Sequence, residues 1–344
     1  MTDSQWNTLL RVIKGENINP VPVGFIIDSP WLPQWYGISV MDYFASEDNW
    51  FEANLKACSV FPEVLFFPGF WSEFGMATEP SAFGCKCSFY ENALPHAHPV
   101  VVSVDDIDHL KEPDPATDGL LPFVLKRLIH QQQKIEQTGH AIRFAVSRGP
   151  LNIASYLMGT TGFMMLMMTD PVKTHQLLRL ITSFLKRWLE LQKKLFPSID
   201  GIFILDDIIG FIGEPEFCEY ALPYFKEIFS LDVSVKFLHN DASCEASLKY
   251  LPAMGVNLFN MGYDTDLNVL KEKTNNRVAM MGNLPPRDVL AQETPAGIRN
   301  HVKKMKSSLH DNRHIIFSCG GGMPMGVSTE NIKAFVEAVV IPDK

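Results

Sequence analysis

Apolar residues follow two rhythms along this chain. Short unbroken runs rich in Val, Ile and Phe alternate with longer segments whose apolar positions recur every three or four residues. The short runs begin at residues 21, 63, 141, 201, 233, 256, 277 and 314 and predict eight buried strands. The longer segments predict helices over 4–15 (Trp6, Leu9, Leu10 and Ile13 on one face), 47–59, 119–138, 151–167, 171–196, 216–231, 242–254, 267–273, 286–291, 295–309 and 329–339. Start signals support several of these: Ser46 and Ser328 as N-caps, and Pro171 in a first turn after Asp170. Residues 82–102 alternate and carry Gly84, Pro95 and Pro99, which predicts a β-hairpin; a short helix over 105–111 follows.

Eight strands, each followed by helix, predict an α/β chain of the TIM (β/α)8 barrel class. It would carry an N-terminal helix and a β-hairpin insertion after strand two, in one domain over residues 1–344. A doubly wound open sheet is the alternative, but no Gly-x-Gly-x-x-Gly turn follows the first strand.

Composition narrows the function classes. Of 344 residues, 46% are hydrophobic and 20% charged, enough for a large core, and the net charge of −9 disfavours general nucleic-acid binding. The most apolar window, 151–168, is interrupted by Gly159 and Gly162, so no membrane span is expected. No basic-then-apolar leader opens the chain, and six cysteines in so long a sequence suggest reduced thiols. A cytoplasmic protein is therefore expected.

In a barrel of this class the active site lies at the C-terminal ends of the strands. That rule selects Asp28, Phe70, Trp71, Arg148, Asp206, Asp207, His239, Asp241, Asn260, Asn283 and Cys319. Each is either a satisfied core or loop residue or part of a shared site, and it is their recurrence after successive apolar runs that points to a site. Imidazole and thiolate are favoured zinc ligands, so His239 and Cys319, with Asp241 two residues on, form a candidate three-ligand open site; the alternative is that both residues simply pack. Strands five and eight are not neighbours, so Cys319 would have to reach inward from the pliant Gly320-Gly321-Gly322 loop. That loop is too far from the following helix to read as a phosphate loop, and Cys85-x-Cys87 reads as packing. Trp31, Tyr36, Phe70 and Trp71 either wall a pocket or belong to the core.

Further segments carry a resemblance: Gly149-Pro150-Leu151 with Met158-Gly159, Asp170-Pro171-Val172, Asp206-Asp207 with Pro215-Glu216-Phe217, His239, Gly282-Asn283-Leu284-Pro285-Pro286, and Cys319-Gly320-Gly321-Gly322 leading to Thr329-Glu330-Asn331-Ile332. Together they resemble the uroporphyrinogen decarboxylase superfamily over nearly the whole chain, whose fold is a TIM barrel. The resemblance offers two chemistries. Decarboxylases of a many-carboxylate tetrapyrrole carry an N-terminal Arg-x-Pro-x-Trp-x-x-Arg-Gln-x-Gly-Arg element. Here the region reads Pro22-Val23-Gly24-Phe25-Ile26-Ile27-Asp28-Ser29-Pro30-Trp31, and no arginine occurs between Arg11 and Arg127.

The other branch, the corrinoid-protein-dependent methyltransferases, implies zinc held by His-x-Cys…Cys. In this chain the pattern becomes His239-Asn240-Asp241…Cys319. An oxygen ligand in place of sulfur makes the metal a harder Lewis acid, suited to an ether or alcohol oxygen.

The resemblance therefore implies methyl transfer from an O-methyl substrate, a methoxylated aromatic favoured, to the Co(I) of a separate corrinoid (cobalamin) protein docked at the barrel mouth. His239, Asp241 and Cys319 would hold Zn²⁺; Asp206, Asp207 and Asn283 would act in catalysis or orient the ligands. Asp28, Trp31, Tyr36, Phe70, Trp71 and Arg148 would bind substrate, Arg148 through a carboxylate. A decarboxylase and a non-catalytic superfamily member are the competing expectations, and a homodimer is compatible with either.

Overall fold

A computed structural model describes residues 1–341. All eight expected strands form: β1 Gly24–Ile26, β2 Leu65–Phe67, β5 Phe144–Arg148, β6 Gly201–Leu205, β7 Val235–Asn240, β8 Leu258–Met261, β9 Ala279–Leu284 and β10 Ile315–Cys319. The hairpin insertion also forms, reduced to β3 Cys87–Ser88 and β4 His96–Ala97, paired antiparallel. Pairing from β5 through β10 runs in sequence order and is parallel throughout, and β1 pairs with β2 in parallel. A parallel bridge between Val23 and Phe317 joins the two sheets, with the Phe317 N–H donating to the Pro22 carbonyl at 2.9 Å. This is the α/β TIM-barrel arrangement the apolar rhythm predicts.

The eight barrel strands are largely buried on both faces, and successive side chains point to opposite sides. One set (Phe67, Phe144, Phe203, Phe237, Leu258, Met281, Ile316) fills the barrel interior. The alternate set (Phe66, Ala145, Ile204, Leu238, Phe259, Met280, Phe317) packs under the helices. Phe203 and Phe237 stack at 4.4 Å between centroids in the interior layer. The N-terminal helix, Asp3–Ile13, inserts Trp6, Leu9 and Val12 into the interior set and closes the barrel floor.

The described residues show no strand pairing between β2 and β5, so the β5 backbone needs other partners there. Side chains supply them. Gln192 accepts from the Val146 N–H at 3.0 Å and donates to its carbonyl at 3.1 Å, and Glu79 accepts the Arg148 N–H at 3.0 Å.

The helices differ from expectation at several points, among them a π-turn over Phe217–Ala221 inside the helix expected at 216–231, a π-helix at Pro286–Ala291 and a 3-10 helix at Val104–His109. The segment expected as one helix over 151–167 is two, Pro150–Met158 and Thr160–Thr169, bent by 107° at Gly159, whose φ of +80° suits glycine. The helix expected over 242–254 shrinks to Leu248–Tyr250 and Leu251–Met254, because Asn240 and Ser243 hold a turn instead: Asn240 accepts the Ala242 N–H and donates to the Ser243 carbonyl. Three short helices, Leu32–Tyr36, Val40–Ala45 and Thr78–Ala82, are too brief to show a period. Among the described residues no single helix is long and apolar enough to cross a membrane. All six cysteines are free.

Candidate metal centre and cavity

Continuing the inward alternation by one step on each strand builds the site. On β6 it runs Phe203, Leu205, then Asp207; on β7 Val235, Phe237, then His239; on β8 Leu258, then Asn260; on β5 Phe144, Val146, then Arg148; on β1 Ile26, then Asp28. Above the apolar layers the barrel therefore carries a polar layer. It faces a cavity of about 560 Å³ lined by Asp28, Arg148, Asp207, His239 and Asp241, with the buried Met323 and the exposed Tyr263, Arg287 and Asp288 also on its wall.

His239 is 5% exposed and held by its neighbour strand. Its Nδ1 lies 2.7 Å from Asn260 Oδ1, while Asn260 Nδ2 donates to the carbonyls of Met281 (2.7 Å) and Cys319 (3.4 Å). Two carbonyl partners fix which end of the amide is the donor, so Oδ1 faces the ring and Nδ1 carries hydrogen. Nε2 is left toward the cavity, 3.4 Å from Asp241 Oδ1 and 4.0 Å from Asp207 Oδ1. Asp207 is positioned in turn by accepting the Asp241 N–H at 2.7 Å.

The three ligand atoms lie within 4.8 Å of one another. Three acceptors converging with no donor between them repel, and either a proton on His239 or a bound cation relieves this. Partial desolvation holds the Asp241 carboxyl above the usual range; His239 opposes this shift and Asp207 adds to it. An imidazole with two carboxylates, open to a cavity, fits a borderline divalent ion such as zinc, and Asn260 is the outer partner such a histidine needs.

Cys319 is not in this cluster. Ile316 marks the inward face of β10, so Cys319 has outward parity, is fully buried, and directs its Sγ to the Gly321 carbonyl at 3.5 Å. Burial, with the Asp241 charge nearby, pushes its thiol up to about 12. Asp207 stands where the sequence reading expected the cysteine. The glycine loop instead shapes the seat of Asp241: a Cβ on Gly321 would lie 1.9 Å from Asp241 Oδ1.

Arg148, expected to take a substrate carboxylate, is already occupied. It is 2% exposed, pairs with Glu73 Oε2 at 2.6 Å and Glu79 Oε2 at 3.7 Å, and lies over the Trp71 ring. Asp206 has outward parity and faces away from the cavity. Its Oδ2 accepts the N–H groups of Leu151 (2.9 Å) and Asn152 (3.2 Å) at the start of the Pro150–Met158 helix. Burial lifts its carboxyl to about 8 despite those bonds. Gly149 makes room for it: a Cβ there would meet Asp206 Oδ2 at 2.4 Å. Asn283 donates to the Thr265 carbonyl at 2.6 Å and lies off the cavity wall.

The expected aromatic wall is core. Trp31 stacks on Trp35 and donates to the Val327 carbonyl, Tyr36 lies under Lys56, Phe70 stacks on Phe51, and Trp71 packs edge-on to Phe203. None of the four lines the cavity; Tyr263 is the aromatic residue that does besides His239. Sequence reasoning missed Glu73, Glu79, Tyr263, Arg287 and Asp288. The one available signal was Glu73 and Glu79 themselves, two acids in an apolar, aromatic segment with no neighbouring cation.

Comparison with known proteins agrees with this architecture. A Methanosarcina mazei methyltransferase superposes with a TM-score of 0.79 at 18% identity, covering 97% of this chain and 98% of that one. A B12-independent methionine synthase from Shewanella sp. W3-18-1 gives 0.56 at 12%, covering 93% and 95%. At such identities the likeness is one of fold. In sequence, the chain is 24% identical over 302 residues to a uroporphyrinogen decarboxylase of Actinobacillus succinogenes (83% of this chain, 78% of that protein). It is 26% identical over 277 residues to one of Pelodictyon phaeoclathratiforme (75% of each). The match to the family pattern runs from residue 5 to residue 340, and the chain belongs to the uroporphyrinogen decarboxylase (URO-D) family.

Proposed function

We propose that this chain is a metal-dependent methyltransferase that moves a methyl group from an O-methyl substrate to the Co(I) of a corrinoid carried by a separate protein. The observation that carries this reading is the convergence of His239, Asp207 and Asp241 on an open cavity. Zinc held there would supply Lewis acidity to an ether or alcohol oxygen. The protein's own part is positional. Asn260 fixes the His239 tautomer, the Asp241 backbone fixes Asp207, and Gly321 leaves space for the Asp241 carboxylate. A cavity of about 560 Å³ admits a donor the size of a methoxylated ring, with Tyr263 as the aromatic contact.

The names of the sequence relatives favour decarboxylation as a second reading. The cavity wall speaks against it. Apart from Asp28, its lining acids are Asp207, Asp241 and Asp288, and of its two arginines Arg148 is matched by internal glutamates. A tetrapyrrole bearing many carboxylates would meet more negative than positive charge.

Metal analysis of the purified chain, and the visible spectrum of a reduced corrinoid protein mixed with it and methoxylated donors, test the proposal. Bound zinc and methylation of the cobalt, both lost in His239→Ala, are expected. A metal-free wild type, or undiminished transfer by His239→Ala, would sink it, and turnover of uroporphyrinogen would establish the second reading.

A further inference from the structure

The polar layer holds a second group of buried charges beside the metal ligands. Two buried carboxyl groups, Glu73 and Glu79, pair with one guanidinium, Arg148, and a third, the half-buried Asp28, feels the charge of both Glu73 and Arg148. Glu73 bonds Arg148 and the Ser29 hydroxyl (2.9 Å), while Glu79 bonds the Ser147 hydroxyl (3.1 Å) and the Arg148 N–H (3.0 Å). Asp28 has no such partner: its Oδ1 is closed from solvent and makes no hydrogen bond. Arg127, whose Nη1 donates to the Glu73 carbonyl at 3.2 Å, is the second cation nearby, so ionising all three acids would still leave one uncompensated negative charge in largely dehydrated surroundings, a cost the group avoids by keeping a proton. Asp28 is the member left without a bond that favours its charged form. Burial and the nearby Glu73, with a smaller push from Asp241 and against the pull of Arg148, raise its carboxyl well above the ordinary range. It is also the only one of the three acids that lines the cavity.

We infer that Asp28 is the general acid of the reaction, a catalytic residue that delivers a carboxyl proton through the cavity to the oxygen losing the methyl group. This rests on the methyltransferase reading above. When the methyl–oxygen bond breaks, the methyl carbon is taken by the two-electron Co(I) nucleophile of the partner protein, and the bond's electron pair stays on oxygen. That oxygen then takes the Asp28 proton and leaves as an alcohol or phenol, and Asp28 is reprotonated from solvent through the cavity. Neither Asp207 nor His239, nor Cys319 off the cavity wall, is placed to deliver that proton. The Cys319 sulfur turns to a backbone carbonyl, Asp207 is engaged by the Asp241 N–H, and His239 presents its lone-pair nitrogen to the two carboxylates.

Two measurements test the inference, one independent of turnover. Infrared difference spectra of wild type minus Asp28→Asn near neutral pH should show the carbonyl stretch of an un-ionised carboxylic acid. Glu73→Gln, which removes one competing charge, should shift its titration to lower pH. The second is methyl transfer from a series of ethers with leaving groups of rising basicity. Asp28→Asn should lose about 10²–10⁴-fold with poor leaving groups, and little with the most acidic phenols. Absence of the infrared band in wild type, or an Asp28→Asn variant that matches wild type across the series, overturns the assignment of Asp28. A wild type that shows the band yet transfers methyl from none of the ethers overturns the methyltransferase reading, and the catalytic role of Asp28 with it.

Discussion

His239 and Asn260 stand opposite one another in the β7–β8 register, and the 2.7 Å bond between them decides which face of the imidazole is available. Asn260 is in turn held by the backbone of β9 and β10, so the orientation of one ring nitrogen is built from four consecutive strands. Outer partners of this kind set ligand basicity and orientation. Asn260→Leu should weaken zinc binding by about 10–100-fold with the fold intact, read by competition against a chromophoric chelator alongside circular dichroism.

Much of this layer was legible in the sequence, and the reason is the period of two. Asp28, Arg148, Asp207, His239 and Asn260 each follow an apolar run, and the structure places all five in one polar layer. Parity was not legible. Runs such as Ile315-Ile316-Phe317 are apolar at every position because both faces of a barrel strand are buried, so nothing local says which way Cys319 or Asp206 points. The aromatics were misjudged for a related reason: a tryptophan in a loop after a strand looks the same in sequence whether it walls a cavity or fills the space beneath a short helix. Arg148 ends its strand in the polar layer, but its carboxylate partners are Glu73, from an irregular segment, and Glu79, from the brief helix Thr78–Ala82, whose course no pattern reveals.

Those partners make Arg148 a stability residue. Arg148→Met would leave Glu73 and Glu79 buried without a cation, and should cost about 3–5 kcal/mol in urea unfolding. Adding Glu73→Gln and Glu79→Gln should recover most of the loss. If the triple variant is no more stable than Arg148→Met, the damage lies in lost packing on Trp71 rather than in unpaired charge.

Asp206 links stability to pH. Its folded carboxyl sits near 8, above that of an unfolded aspartate, so the native state holds a proton the unfolded chain has released. Its favourable contribution is complete below the unfolded value near 4, and is lost as pH rises to about 8. Between those values the loss runs at about 1.4 kcal/mol per pH unit for this one group. Urea midpoints should show that slope in wild type and not in Asp206→Asn. Asp206→Ala, which abandons the Leu151 and Asn152 N–H groups, should lose about 2–3 kcal/mol at pH 5.

Gly321 offers a way to disturb the metal seat without touching a ligand. At φ +82°, with Asp241 Oδ1 only 1.9 Å from where a Cβ would stand, Gly321→Ala must push the carboxylate aside or rebuild the loop. Zinc affinity should fall while thermal stability drops by about 1–2 kcal/mol. Unchanged zinc affinity in this variant would mean that Asp241 does not hold the ion.

Cys319 and Asp207 separate two ligand sets for the same histidine. Sequence pattern favours His239, Asp241 and Cys319; the geometry converges His239, Asp207 and Asp241. The Cys319 thiol holds its proton up to about 12, and its sulfur is already bonded to the glycine loop, so drawing it onto an ion would cost both the proton and that contact. Cys319→Ser should therefore bind zinc within a few-fold of wild type, whereas Asp207→Asn, which keeps the shape and removes the charge, should bind at least tenfold more weakly. A cobalt-substituted protein adds a spectroscopic check: without thiolate coordination it should lack the near-ultraviolet sulfur-to-metal charge-transfer band. The presence of that band in wild type and its loss in Cys319→Ser would restore the cysteine to the ligand set, with the β10 loop rearranging on metal binding.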